Sequence, residues 1–156
     1  MPVLFAKDAK AARDFYVNLL GMEVIADFGG MNFVFKEGFA IWQPAEGNII
    51  PGILGKDNIH NTQSASRFEL CFETQNLDEI YSAVKNYGVK FLHEINEEIW
   101  GQRTIRFYDT DGHLIEVGEA METFLSRLFI ELGTIEAVAD RTFMQPEYVA
   151  SLLKTE

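Results

Sequence analysis

Apolar residues recur along this chain with two different periods. In "RFELCFE" (67–73), "RTIRFYD" (103–109) and "HLIEVGE" (113–119) they alternate with polar ones, the pattern of a strand with one buried face. After residue 119 the spacing becomes helical, through "METFLSRLFIELG", "TIEAVADRT" and "QPEYVASLL", with Thr134 as an N-cap and Pro146 early in the last helix. The strand region contains a weak internal repeat of roughly 65 residues. "VLFAKDAKAARDFYVNLLGMEVI" reads as strand, helix capped by Asp8, stop at Gly21, strand; "FELCFETQNLDEIYSAVKNYGVKFL" repeats the order with Asn76 and Gly88.

Each half adds two strands: "GMNFVFKE" and "FAIWQP" in the first, "GQRTIRFYD" and "HLIEVGE" in the second. The second pair is joined by the turn "DTDG", Asp109 to Gly112. Its acids lack the further spaced ligands of a calcium loop, so a hairpin turn is expected. The predicted architecture is α+β: two βαβββ modules forming a cupped mixed sheet around a cavity, plus a C-terminal helical tail. The modules are residues 1–43 and 67–119, with a Gly/Pro/Asn/Ser-rich linker or lid at 44–66; the helical extension is 120–156. One helix per four strands covers one sheet face only. The other must be covered by the second module, a partner chain or a ligand.

Strand parity sorts the second module. Phe68, Leu70, Phe72, Ile105, Phe107, Ile115 and Val117 point to the helix side. Glu69, Cys71, Glu73, Thr104, Arg106, Tyr108, Leu114, Glu116 and Gly118 point away. In the first module the equivalent face carries Val3, Phe5 and Trp42. Three carboxylates and an arginine on a largely apolar sheet mark the face for chemistry. Glu69 and Glu116 have three readings: ligands of a divalent metal, an ion-pair cluster with Arg106, or an acid/base. Arg106 beside them would hold their pKa values down, which favours the ion pair. Phe5, Trp42, Trp100 and Tyr108 are candidates to stack on a flat ligand, against core packing for each. Cys71 is expected as a small lining residue, and His60 and His93 as surface residues.

Composition trims these options. The 156-residue chain is 47% hydrophobic and 13% aromatic, enough for a packed core, and its net charge of −11 argues against nucleic acid or an anionic membrane as partner. One cysteine and three histidines exclude a disulfide scaffold and limit any histidine-rich metal site. No signal-peptide pattern and no long apolar run occur, so a cytoplasmic protein is expected. The tail resembles the two-helix half of a helix-turn-helix. Its second helix carries Glu147 and only Lys154 as a base, so a packing role is expected instead.

"AARDFYVNLLGMEV" and "WGQRTIRFYDTDGHLIEV", in this order and at this separation, resemble the vicinal oxygen chelate superfamily: glyoxalase I, bleomycin-resistance proteins and extradiol dioxygenases. The resemblance covers roughly residues 2 to 119. It implies a cupped sheet, often completed by a second chain as a homodimer, and in the enzymes a divalent metal that polarises substrate oxygens. Carried across, the eighth-strand Glu is Glu116, the fifth-strand His is Glu69, the first-strand ligand falls on Met1 and the fourth on Trp42 or Gln43. Two carboxylates survive of four ligands, a poor set for zinc. The resemblance therefore implies either a metal-free protein binding a small, partly aromatic molecule through Phe5, Trp42, Cys71, Glu73, Trp100, Arg106 and Tyr108, or a metal-dependent lyase, isomerase or dioxygenase using Glu69 and Glu116. A third option is an interaction module working through the tail.

Overall fold

The computed structural model describes residues 1–45, 48–55 and 69–153. The element order is β1 (Val3–Phe5), α1 (Ala9–Asp14) running on into a π-helical turn (Phe15–Leu19), β2 (Val24–Phe28), β3 (Asn32–Phe35), β4 (Ala40–Trp42) and α2 (Ile49–Leu54). It continues with β5 (Glu69–Thr74), α3 (Leu77–Tyr87), β6 (Phe91–Glu97), β7 (Arg103–Tyr108) and β8 (Leu114–Glu119). Three helices close the chain: α4 (Met121–Leu132), α5 (Ile135–Thr142) and α6 (Pro146–Leu153). Both predicted βαβββ modules are present as four-stranded mixed sheets, β1-β4-β3-β2 and β5-β8-β7-β6. The expected linker differs in one respect: residues 49–54 form a helix. Residues 46–47 and 56–68, and with them Phe68 and His60, lie outside the described residues, as does Lys154.

By contacts the chain divides into two compact units. The first is Met1–Leu70 with Ala83–Lys90 and Tyr108–Ile115; the second is Cys71–Ser82 with Phe91–Phe107 and Glu116–Glu156. In the first unit Asp8 caps α1 as predicted, its Oδ1 accepting from the amides of Lys10 and Ala11 at 3.0 Å each. Buried Ala9 and Ala12 are small enough to let the helix lie close, and Phe15 and Tyr16 follow as an aromatic layer. Tyr16 packs its ring 5.1 Å from Phe39, which stacks on Phe35 at 4.6 Å. Registers Leu4↔Ile41 and Phe33↔Ile41 put these three apolar side chains in one row, all buried. The next row, Phe5↔Trp42↔Asn32, therefore projects from the other face.

In the second unit the helix-side residues Ile105, Phe107 and Val117 are buried, as alternation predicts, whereas Phe72 is half-buried and Gly118, read as facing away, is buried. Thr104, on the opposite parity, is buried as well, its Oγ1 donating to Glu98 Oε1 at 3.1 Å. Asn76 caps α3, its Oδ1 accepting from the Glu79 backbone N–H at 3.3 Å while its side-chain Nδ2 donates to Glu79 Oε2 at 2.9 Å. The three C-terminal helices build a core of their own from Phe124, Leu125, Leu128, Val138, Ala139 and Val149. They are tied to the strands through Glu119. Its carboxylate, 5% exposed, takes two bonds from Arg127 (3.1 and 2.8 Å) and one from the Arg103 amide (2.9 Å). Gly101 makes this approach feasible: its φ is +98°, and a Cβ there would stand 3.1 Å from Leu128 Cδ1. Among the described residues no helix is long and apolar enough to cross a membrane.

Candidate functional site

Arg106 is the hub of the second unit's polar face. Its guanidinium pairs with Glu116, donates to Glu98 Oε1 at 2.6 Å and donates to His93 Nε2 at 3.0 Å. All three side chains of the ion pairs are mostly buried, 18%, 16% and 14% exposed for Arg106, Glu98 and Glu116. The hydrogen bond from Arg106 holds the Glu98 carboxyl below its ordinary value. A guanidinium has only donors, so in this contact His93 Nε2 is the acceptor. Its proton then sits on Nδ1, which lies 2.8 Å from the Glu94 carbonyl and donates to it. The Nδ1–H tautomer of His93 satisfies both contacts.

The ion-pair cluster expected around Arg106 includes Glu116, and the structure adds Glu98 and His93, neither of which parity reveals. His93 is half-buried rather than a surface residue. The reason is a register shift in the β6–β7 ladder between Phe91 and His93. Phe91 stands opposite Phe107, its ring 6.2 Å away in the core, whereas His93 stands opposite Arg106. One irregular step breaks the two-residue period on which any sequence reading of that strand relies.

Glu69, Cys71 and Glu116 each offer one ligand atom, and these lie within 4.8 Å of one another. Two carboxylates and a thiol are a mixed hard and soft set. The set does not fit a catalytic divalent-metal centre, because Glu116 is already engaged by the Arg106 guanidinium. Nor do the other positions implied by the resemblance help. Met1 is 72% exposed with a thioether, Trp42 has no ligand atom for a hard cation, and Gln43 spends its Oε1 on the Ala9 amide at 2.9 Å, supporting the start of α1.

On the first unit, Phe5 and Trp42 meet edge to face at 5.8 Å, both half-buried. In the same row, opposite Trp42, sits Asn32, whose buried Oδ1 has no hydrogen-bond partner among the described residues. The remaining predicted residues lie elsewhere. Glu73 is exposed, and its carboxylate accepts from the Met121 amide at 3.3 Å, where the α4 N-terminus favours a negative charge. Trp100 packs against the C-terminal helix core and donates its indole N–H to Gln102 Oε1 at 3.2 Å. Tyr108 lines an open cleft of roughly 450 Å³ with Lys7, Lys90 and the 109–112 turn, and the Lys90 ammonium stands 5.2 Å from its ring centre.

The "DTDG" segment is the expected turn, closed by Asp109 N–H to His113 O (3.1 Å) and Gly112 N–H to Asp109 O (3.2 Å), with Gly112 at φ +87°. It also carries a buried relay. Asp109 Oδ2 accepts from Tyr16 Oη at 2.7 Å and from His113 Nδ1 at 2.8 Å. Burial pushes the Asp109 carboxyl up, but the bond from His113, its charge and the Tyr16 bond together hold it below its usual value. Burial likewise lowers His113, and the bond to Asp109 outweighs that, raising it above 6.5. Burial, then the Asp109 charge, pushes Tyr16 well up. A raised histidine stabilises the fold fully below 6.5 and loses that contribution as pH rises through its folded pKa; a lowered aspartate contributes above 3.8 and loses it on acidification. The pair therefore stabilises most between those two values. We expect an NMR titration to place His113 above 6.5, and Asp109→Asn to lower it below that; a titration unmoved by the substitution would break the pairing.

A family model described as a glyoxalase-like domain matches residues 1–122. Among solved structures, the chain is similar to a protein of unknown function from Agrobacterium tumefaciens str. C58. The two are 32% identical, with 77% of this chain and 91% of that one covered and a TM-score of 0.65. A lactoylglutathione lyase from Agrobacterium tumefaciens is 24% identical over 76% of this chain and 90% of its own, with a TM-score of 0.54. A bleomycin-binding protein, solved with bleomycin, is 21% identical over 77% and 96%, also at 0.54. The last two likenesses are of fold. No curated protein matches the sequence.

Proposed function

The chain belongs to the glyoxalase-like family, within the vicinal oxygen chelate superfamily, and from that premise we propose that it binds a small, partly aromatic molecule on its non-helix sheet faces without a metal. The observation that carries this reading is the Arg106–Glu116 ion pair. Where an enzyme of this superfamily would set a divalent cation against the eighth-strand carboxylate, this chain sets a guanidinium. Phe5 and Trp42 supply apolar wall. In the second unit Arg106 neutralises Glu116 in place of a cation, with His93 and Glu98 keeping its fork in place. The likeness in fold to a bleomycin-binding protein agrees with a binding role. A homodimer is part of the same proposal.

The second reading is a divalent-metal-dependent lyase, isomerase or dioxygenase of glyoxalase type, favoured by the Glu69, Cys71 and Glu116 group. It requires Glu116 to give up Arg106. Equilibrium dialysis of untagged protein against zinc and manganese separates the two. We expect no stoichiometric binding. One equivalent of metal, lost in both Glu69→Gln and Glu116→Gln, would overturn the metal-free reading and install the second.

A further inference from the structure

We propose that Asn32 is a ligand-binding, specificity-determining residue: its amide oxygen accepts a hydrogen bond from an N–H or O–H carried by a flat, neutral aromatic molecule seated against Phe5 and Trp42. The proposal rests on the binding reading above and names the chemistry of its ligand. Strand β3 is an interior strand, between β4 and β2, where asparagine is disfavoured relative to β-branched and aromatic residues. Register places Asn32 directly opposite Trp42, and Trp42 opposite Phe5, so the three side chains leave the sheet on one face and in one line.

Within that line the amide oxygen is buried and unpaired among the described residues, and among them it is the one buried side-chain polar atom so placed. A buried acceptor without a donor weakens the folded state, and such groups in natural proteins call for a reason. The neighbouring residues on this face are Val3, Val34, Ala40 and, directly opposite Asn32 on β2, Phe28, with no charge among them. The face therefore offers one unpaired buried acceptor and three aromatic rings, Phe5, Trp42 and Phe28. That combination recognises a neutral ring bearing a single donor, and it leaves a charged group uncompensated.

The probes are indole and benzothiophene, which match in shape and differ in the ring N–H. Ligand-observed NMR titrations on the full-length protein should show indole binding about tenfold more tightly, the discrimination expected from one hydrogen bond to an otherwise unsatisfied acceptor. In Asn32→Leu, a substitution of similar shape, that preference should vanish while benzothiophene binds as before. The same variant should unfold at a higher temperature than the parent, because an unpaired polar group has been removed. Asn32→Val serves where leucine overpacks. Equal binding of both probes by the parent overturns the role of Asn32 while leaving the aromatic face as a binding surface. Failure of both probes to bind also overturns it, and the metal dialysis then judges the broader reading by itself. A lower unfolding temperature in both Asn32 variants overturns it too, since the amide would then be bonded within the folded chain.

Discussion

Arg106→Ala should destabilise the protein by about 3 kcal/mol, since it leaves two mostly buried carboxylates facing each other with their shared cation gone. The figure takes the lower part of the range for breaking a buried pair because each partner keeps some exposure, 14–18%. Three changes act together: Glu98 loses the bond that lowers its pKa, Glu116 loses its counter-charge, and His93 Nε2 loses its donor. Adding Glu116→Gln to Arg106→Ala should restore roughly half of the loss, because a neutral amide removes the repulsion without restoring the bonds. Urea unfolding of the parent, the single and the double variant measures this. The single variant should also gain stability on adding manganese, and the parent should not. A cost under about 1 kcal/mol would mean that the cluster behaves as an exposed salt bridge.

Ending the chain at Ala120 should abolish cooperative folding of the second unit. The deletion removes six buried residues of the helical core, of which all but Ala139 are each worth about 1.5–3 kcal/mol when fully buried. It also strips Glu119 of Arg127, leaving a carboxylate that is 5% exposed with the Arg103 amide and a distant guanidinium, 3.8 Å away. Arg141, which donates to the Ile99 carbonyl and to Glu97 Oε1 at 3.0 Å, is lost as well. Scanning calorimetry of the truncated and full-length chains provides the test. A truncated chain that melts as sharply and as high as the parent would mean that the helices are a detachable module. Arg127→Ala isolates the anchor from the core and should cost about 2 kcal/mol.

How much of this was legible beforehand depends on what each residue's position relies on. Asp8, Asn76, Thr134 and Pro146 act within one turn of their own helix, so local chemistry is enough to read them. Ile105, Phe107 and Val117 follow from alternation along regular strands. Glu116 could be assigned to the polar face for the same reason, and its company with Arg106 follows from shared parity. His93 and Glu98 were illegible: the first lies past a bulge, and the second reaches back to β7 from beyond the end of β6. Trp100 misleads because the glycine beside it suggests a rim, whereas Gly101 is there to admit Leu128 from a helix far along the chain. Asn32 could have been flagged as an amide inside an apolar strand pattern. That it stands unpaired needs the whole sheet to be known.

Strand β1 has a kinetic consequence. It contributes three residues at the sheet's edge, and its ladder partner β4 begins 37 residues later, Val3 facing Ala40. The β2–β3–β4 meander joins neighbours through short turns, so its loop-closure cost is small, while the parallel β1–β4 pairing must wait for a template to dock on. Folding should therefore proceed from the meander outward, with β1 added late and the first to come away in native-state exchange. Since Phe5 is on that strand, Trp42 on its neighbour β4 and Asn32 on β3 beyond it, the aromatic face would be completed only at the last step of folding and would be the first feature lost when the native state opens.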